Sequence, residues 1–447
     1  MGTYVIPADM EEGTALVLKE IGRVGRIVRE AGPSQQFHVT KVDYQRFWPR
    51  LNENTSSSFS GFHLGHYMSA ARSDEMSELL SDQMNLIVSS GVCPSRWGVA
   101  LQVLLKKIAG VSLVSKLCSI QLYEADYNWF NKLIFNDQAL AALHNTGLMP
   151  EEHFSQKKSL AEDTCFDKIL ALDLSRQSRL PMALVSIDAA QCYDRVNHLM
   201  MSLVWLALGV QQSAISIILK CLQDMKIFTR TGFGDSTAFI GGPDQLTPFC
   251  GLGQGSKAAP ASWLQLSTMI INAYKQQGHG AIFMDPINKS ISRSIGCVYV
   301  DDADIYTAAP HLTSVEQVIR ETTKAIPCWS RCLSATGGSI KAAKSGWYLI
   351  AYENVDGSWV EREIPWDLVV PLPAPDGDTI ITQHSVTDAV KSLVFFTAPC
   401  TGHGEHLKYI CMKVDTWLIK MSNGRQLWPG CHTYINCGRG SDTLWEH

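Results

Sequence analysis

Apolar and polar positions alternate along this chain with periods that predict its elements. Val99 to Lys107 follows a turn and an aromatic anchor at Trp97, then runs almost wholly apolar into two lysines, which predicts a strand with a charged end. Leu184-Val-Ser-Ile leads into Asp188 and predicts a buried strand delivering a carboxylate at its C-terminal end. Ile295-Gly-Cys-Val-Tyr-Val-Asp-Asp-Ala-Asp-Ile-Tyr306 is β-prone on both sides of an adjacent acidic pair, which predicts a hairpin with Asp301 and Asp302 at its tip. Helical spacing predicts helices over Lys19 to Arg29, from the Thr40 to Asp43 capping box through Phe47 and Trp48, over Ser314 to Leu333, and from Lys408 through Trp417. Strand patterning returns at Ser339 to Ile350, and Asp356-Gly357 reads as a hairpin turn.

Composition narrows the class. At 447 residues the chain exceeds one compact core, so two or three subdomains are expected, and 46% apolar content fits a globular protein. No apolar run reaches the ~18 residues of a membrane span, and the first ten residues lack the basic-then-apolar order of a secretory signal. Thirteen cysteines, an odd number with no CxxC pair, support neither a disulfide framework nor a zinc ribbon, so a cytoplasmic or nuclear setting without a membrane partner is expected. A formal net charge of −5 is opposite in sign to the footprint of a nucleic-acid binder. Local distribution offsets it, because Lys106, Lys107, Lys116, Lys341 and Lys344 all fall near the motifs described next.

Unpaired carboxylates are costly in an apolar strand, and a divalent cation is their natural partner. A strand-end Asp188 together with a paired Asp301 and Asp302 supplies the oxygen ligands for two hard cations about 3.5–4 Å apart, the arrangement of phosphoryl and nucleotidyl transfer. Between these acidic elements lies Gly251-Leu-Gly-Gln254-Gly255, with Pro260 downstream, where glycines permit close backbone approach and Gln254 offers an amide.

In this order, Asp188 to Asp194, Gly251 to Pro260 and Tyr299-Val-Asp-Asp302 resemble the palm motifs of reverse transcriptases. Ser56 to Tyr67 and Glu124-Ala-Asp-Tyr-Asn128 are similar to the retroelement type, and the resemblance spans about residues 40 to 425. It implies an α/β (α+β) fold, a right-hand polymerase. Its expected segments are an N-terminal helical extension over 1–45, fingers over 46–180, an antiparallel-sheet palm over 181–400 and a truncated thumb over 401–447. The implied activity is RNA-templated addition of deoxynucleotides to a primer 3′-hydroxyl. Its implied partners are an RNA template, a DNA or RNA primer and dNTPs.

The resemblance also implies roles. Asp188, Asp301 and Asp302 would hold two Mg2+ ions, with Mn2+ as a substitute, and Lys344, with Lys341 as the alternative, would protonate the departing pyrophosphate. Tyr193 would exclude a ribose 2′-hydroxyl, its other reading being core packing, while Gln254 and Gly255 would contact the nucleotide. Where the family carries an arginine for the incoming triphosphate this chain has Cys118, so Lys107 or Lys116 would substitute. Cys118, Phe62 in place of a basic residue, Val394 in place of a glycine, the acidic balance and the short thumb support a second expectation, a degenerate remnant of weak or no activity. An RNA-dependent RNA polymerase is the third, and Tyr193 argues against it.

Overall fold

The apolar runs become strands in the computed structural model, which describes residues 5–422 except 33–36, 56–57, 107–109, 112, 114–116, 157–158, 247–248, 286, 373–376, 394 and 401–403. In chain order the strands are β1 Val99–Lys106, β2 Leu117–Leu122, β3 Met182–Asp188, β4 Lys226–Thr231, β5 Gly234–Gly241, β6 Ala281–Met284, β7 Ile291–Ser294 and β8 Gly296–Tyr299. They continue as β9 Asp302–Thr307, β10 Gly346–Ile350, β11 Tyr352–Val355, β12 Ser358–Glu361, β13 Leu368–Pro371, β14 Asp378–Gln383, β15 Val390–Ser392 and β16 Phe395–Thr397. The fold is mixed α/β of the α+β kind, with largely antiparallel sheets and helices around them.

Two compact units interleave in sequence. Met1–Met149, Gln191–Ala273 and Ala335–Gly338 form the first, and Pro150–Ala190, Tyr274–Ser334 and Ser339–His447 form the second. The expected segments 46–180 and 181–400 are serial, whereas these packing units exchange chain repeatedly.

In the first unit the sheet order is β2-β1-β4-β5, with β1 and β4 parallel and the outer pairs antiparallel. The capping box expected at Thr40 is present and opens the helix Lys41–Phe47. Behind it Tyr44, Trp48, Tyr67 and Trp129 pack ring against ring, with centroids 4.3 Å apart for Trp48 and Tyr67 and 5.3 Å for Tyr44 and Trp129. The amphipathic helix Glu12–Glu30 packs its apolar face on the helix His198–Ala207.

In the second unit six strands run in the order β13-β14-β10-β3-β9-β8. Strands β3 and β10 sit centrally and are buried on both faces, which is why their sequences read as near-continuous apolar runs. On one face Leu184, Tyr306, Tyr348 and Ile350 pack against Ala171 and Leu172 of the helix Ala161–Ser178. The helix Val315–Ala335 forms where the spacing predicts it and buries Val318, Ile326, Trp329 and Leu333. Asp356 and Gly357, both at positive φ (50° and 85°), make the expected β11–β12 turn. Among the described residues every cysteine is free, and no helix is long and apolar enough to cross a membrane.

Candidate active site

Strand register brings the separated acidic motifs together. Antiparallel β3 and β9 pair Asp188 with Asp302, and β9 and β8 pair Asp302 with Tyr299. Paired residues share a face and alternate residues along a strand return to it, so the next row inward is Cys297, Asp304 and Ser186, and the row after that contains Tyr306 and Leu184. The face therefore grades from an apolar core, through a buried polar row, to carboxylates at the ends of the strands.

The hairpin differs from expectation in one respect. Both carboxylates were expected at its tip, but the two-residue loop consists of Val300 and Asp301, and Asp302 is already the first residue of β9. Val300 takes φ 56°, a left-handed conformation that is unfavourable for a β-branched side chain. Its N–H donates to Ser155 Oγ, and β8 is flanked by Glu152 to Phe154, whose carbonyl and N–H bond Val298 at 2.8 Å each.

Asp188 ends β3 because the chain turns immediately afterward, with Gln191 at φ 50°. Its N–H donates to Ser345 Oγ at 3.1 Å and its carbonyl accepts from Lys341 N at 2.9 Å. The 3-10 turn Ala342–Lys344 then places the Lys344 ammonium 3.1 Å from Asp188 Oδ2. Of the two candidate lysines, Lys344 is thus the one whose side chain reaches the carboxylate. With Lys344 58% exposed, this pair adds at most about 1 kcal/mol to stability.

The acidic groups also sense one another. Burial pushes the Asp302 carboxyl up to about 7, and the neighbouring Asp301, Asp188 and Asp304 push it the same way. Burial raises Asp301 as well, with Asp188 adding to the shift. Among the described residues no three His, Cys, Asp or Glu side chains already stand as a metal cage. The donor chemistry still fits a hard divalent cation: every candidate donor is a carboxylate oxygen, and burial first, then mutual repulsion, disfavours the charged groups in a way that a cation would relieve. A cavity of about 320 Å3 opens beside it, lined by Asp188, Asp302, Lys344, His384, Lys391 and Ser392.

Two further residues of this site escaped the sequence reading. Lys168, 3% exposed, comes from the helix Ala161–Ser178 and holds both oxygens of Asp304, itself 6% exposed, at 3.1 Å. Asp304 also accepts from Ser186 Oγ, from Ser392 Oγ at 3.3 Å and from Cys297 Sγ at 3.9 Å. One signal was available: Asp304 lies two residues after Asp302, so on a strand it must face the same way.

In the first unit the glycine loop lies against β2. Gly253 and Gly255 take φ +72° and +111°, and a Cβ on either would fall 2.0 Å from Tyr123 Oη or 2.1 Å from the Gln121 carbonyl. Gln254 receives Cys118 Sγ at 3.2 Å and donates through Nε2 to Asp194 Oδ2 at 3.3 Å. A cavity of about 270 Å3 here is lined by Ser119, Gln121, Tyr123, Asp194, Phe249 and Gln254. Tyr193 is half-buried, its carbonyl accepting from Leu252 N at 2.7 Å. Lys107, Lys116 and Val394 lie outside the described residues; beside the last, Leu393 has φ 53°.

No protein-family model matches the chain, and no curated protein matches it.

Proposed function

We propose that this chain is an RNA-directed DNA polymerase of the retroelement type, with right-hand architecture and the second unit's sheet as its palm. One observation carries the reading: Asp188 and Asp302 are register partners where β3 ends and β9 begins, with Asp301 in the adjoining turn. Carboxylates from two motifs far apart in sequence meet there in the order the resemblance requires.

Asp188, Asp301 and Asp302 are the residues that would hold two Mg2+ ions, whose chemistry is to acidify the primer hydroxyl and balance charge on the leaving pyrophosphate. Lys344, whose ammonium lies 3.1 Å from Asp188 Oδ2, is the candidate proton donor for the pyrophosphate. Gln254 and Gly255 are the candidate nucleotide contacts of the first unit, and Tyr193 the candidate barrier to ribonucleotides. The substrates are a primed RNA template and dNTPs.

Primer extension on an RNA template, run with deoxy- and ribonucleotides and with Asp301→Ala as control, tests the proposal. Incorporation of dNTPs above that control supports it, preference for ribonucleotides makes the chain an RNA polymerase, and no incorporation above that control points to a remnant of weak or no activity. A specific observation favours a second reading, a weakened remnant: the Cys118 side chain is engaged with Gln254 and cannot supply the positive charge that an arginine brings to a triphosphate. On that reading Cys118→Arg raises incorporation at limiting dNTP at least tenfold, and an unchanged rate removes the argument.

A further inference from the structure

The buried row beneath the carboxylates does more than fill space. A lysine and an aspartate inside a core are expensive to bury, and replacing such a pair with apolar residues of similar volume is often neutral or stabilising. Stability alone therefore gives no reason for Lys168 and Asp304 to be charged. Their geometry gives another. Lys168 Nζ lies 3.1 Å from both Asp304 oxygens and 3.4 Å from Ser186 Oγ. Ser186 is on β3 two residues before Asp188, Asp304 is on β9 two residues after Asp302, and Ser392, bonded to Asp304 at 3.3 Å, ends β15. One node thus ties together the two strands that present Asp188 and Asp302, the covering helix, and the hairpin whose Lys391 and Ser392 line the cavity.

We propose that Lys168 and Asp304 are positioning residues: the hydrogen-bonded node they form with Ser186 and Ser392 fixes β3, β9 and β15 relative to one another so that Asp188 and Asp302 present their carboxylates to a shared divalent cation. The inference rests on the metal-holding role proposed above. It assigns neither residue a contact with substrate or ion.

Two double variants separate positioning from packing, because both keep the pair's net charge at zero. Lys168→Met with Asp304→Leu preserves volume and apolar packing but removes every bond of the node. Lys168→Gln with Asp304→Asn keeps amide and carbonyl groups where the hydrogen bonds to Ser186 and Ser392 are made. The full chain is titrated with Mn2+ and read by electron paramagnetic resonance, with Asp188→Asn as the non-binding control and thermal unfolding as the measure of folding. The expected result is a folded Met/Leu variant that binds Mn2+ at least fivefold more weakly than the parent, and a Gln/Asn variant within threefold of it. Equal affinity in a folded Met/Leu variant overturns the positioning role and leaves the metal site standing. A parent that binds no Mn2+ overturns both, through the parent alone. Should the Met/Leu variant not fold, Ser186→Ala combined with Ser392→Ala cuts two links and leaves the ion pair, with the same weakening expected and unchanged affinity again overturning the role.

Discussion

At the residue scale, the groups that decide the behaviour of the acidic edge include some that never reach it. His153 is fully buried beside β8, its Nδ1 accepting from Ser155 N at 3.4 Å, while Ser155 in turn receives the Val300 N–H. Burial lowers its pKa from 6.5 to about 4. The unfolded chain therefore binds this proton more readily than the folded one, so its contribution to stability is complete above about pH 6.5 and is lost as pH falls toward 4, by about 3 kcal/mol. His153→Gln, which has no proton to gain, is expected to flatten this acid-side fall; urea unfolding at pH 7.5 and 4.5 measures the difference between parent and variant. An identical slope in the two proteins would refute the assignment. Asp302 poses the opposite problem, since its carboxylate is held among other acids. In metal-free protein at pH 8, Asp302→Asn is expected to unfold at a higher temperature than the parent, and added Mg2+ to raise the Tm of the parent only.

At the element scale, the β8–β9 hairpin carries its own strain. A left-handed Val300 costs about 1–2 kcal/mol, held by the bond to Ser155 and the pairing of β8 with residues 152–154. Val300→Gly trades that strain for chain entropy and is expected to leave stability within about 1 kcal/mol. Val300→Pro forces φ to about −65° and removes the N–H, so it is expected to cost about 3 kcal/mol or more and to abolish any Mg2+-dependent rise in Tm. Thermal unfolding of both variants with and without Mg2+ decides this, and a stable Pro variant would show the turn to be unconstrained. The hairpin was legible in the sequence because apolar residues flank an acidic pair, and β3 because its run stops at Asp188. What pattern does not encode is the pairing partner. That Asp302 faces Asp188 follows from register. Lys168 was invisible for the same reason: on a helix a lysine reads as surface, and the carboxylate that makes its burial tolerable lies 136 residues away. The loop glycines were legible as glycines, but the demand on them, the Gln121 carbonyl of β2 and the Tyr123 hydroxyl just after it, comes from another part of the chain.

At the scale of the whole molecule, the interleaving of two units makes the proposed cation site testable without any assay of activity. All three carboxylates, Lys344 and the Lys168–Asp304 node belong to the second unit, whereas the glycine loop and Cys118 belong to the first. A ligand that binds only folded protein stabilises it by RT ln(1 + [L]/Kd), about 2.7 kcal/mol at a hundredfold excess over Kd. Local opening that breaks the site is suppressed to that extent, while opening that leaves the site intact is not. With a net charge of −5 the chain also attracts divalent cations diffusely, and such an atmosphere gives no pattern of protection tied to particular strands. Hydrogen–deuterium exchange of the full chain with and without Mg2+ is therefore expected to show slower exchange in β3, β8, β9 and residues 339–345. Exchange in the exposed β4–β5 hairpin should be unchanged, and Asp188→Asn should erase the difference. Protection spread evenly over β4–β5 and β9, or kept in the Asp188 variant, would mean that Mg2+ acts on this protein as a screening ion and that the acidic edge does not hold it.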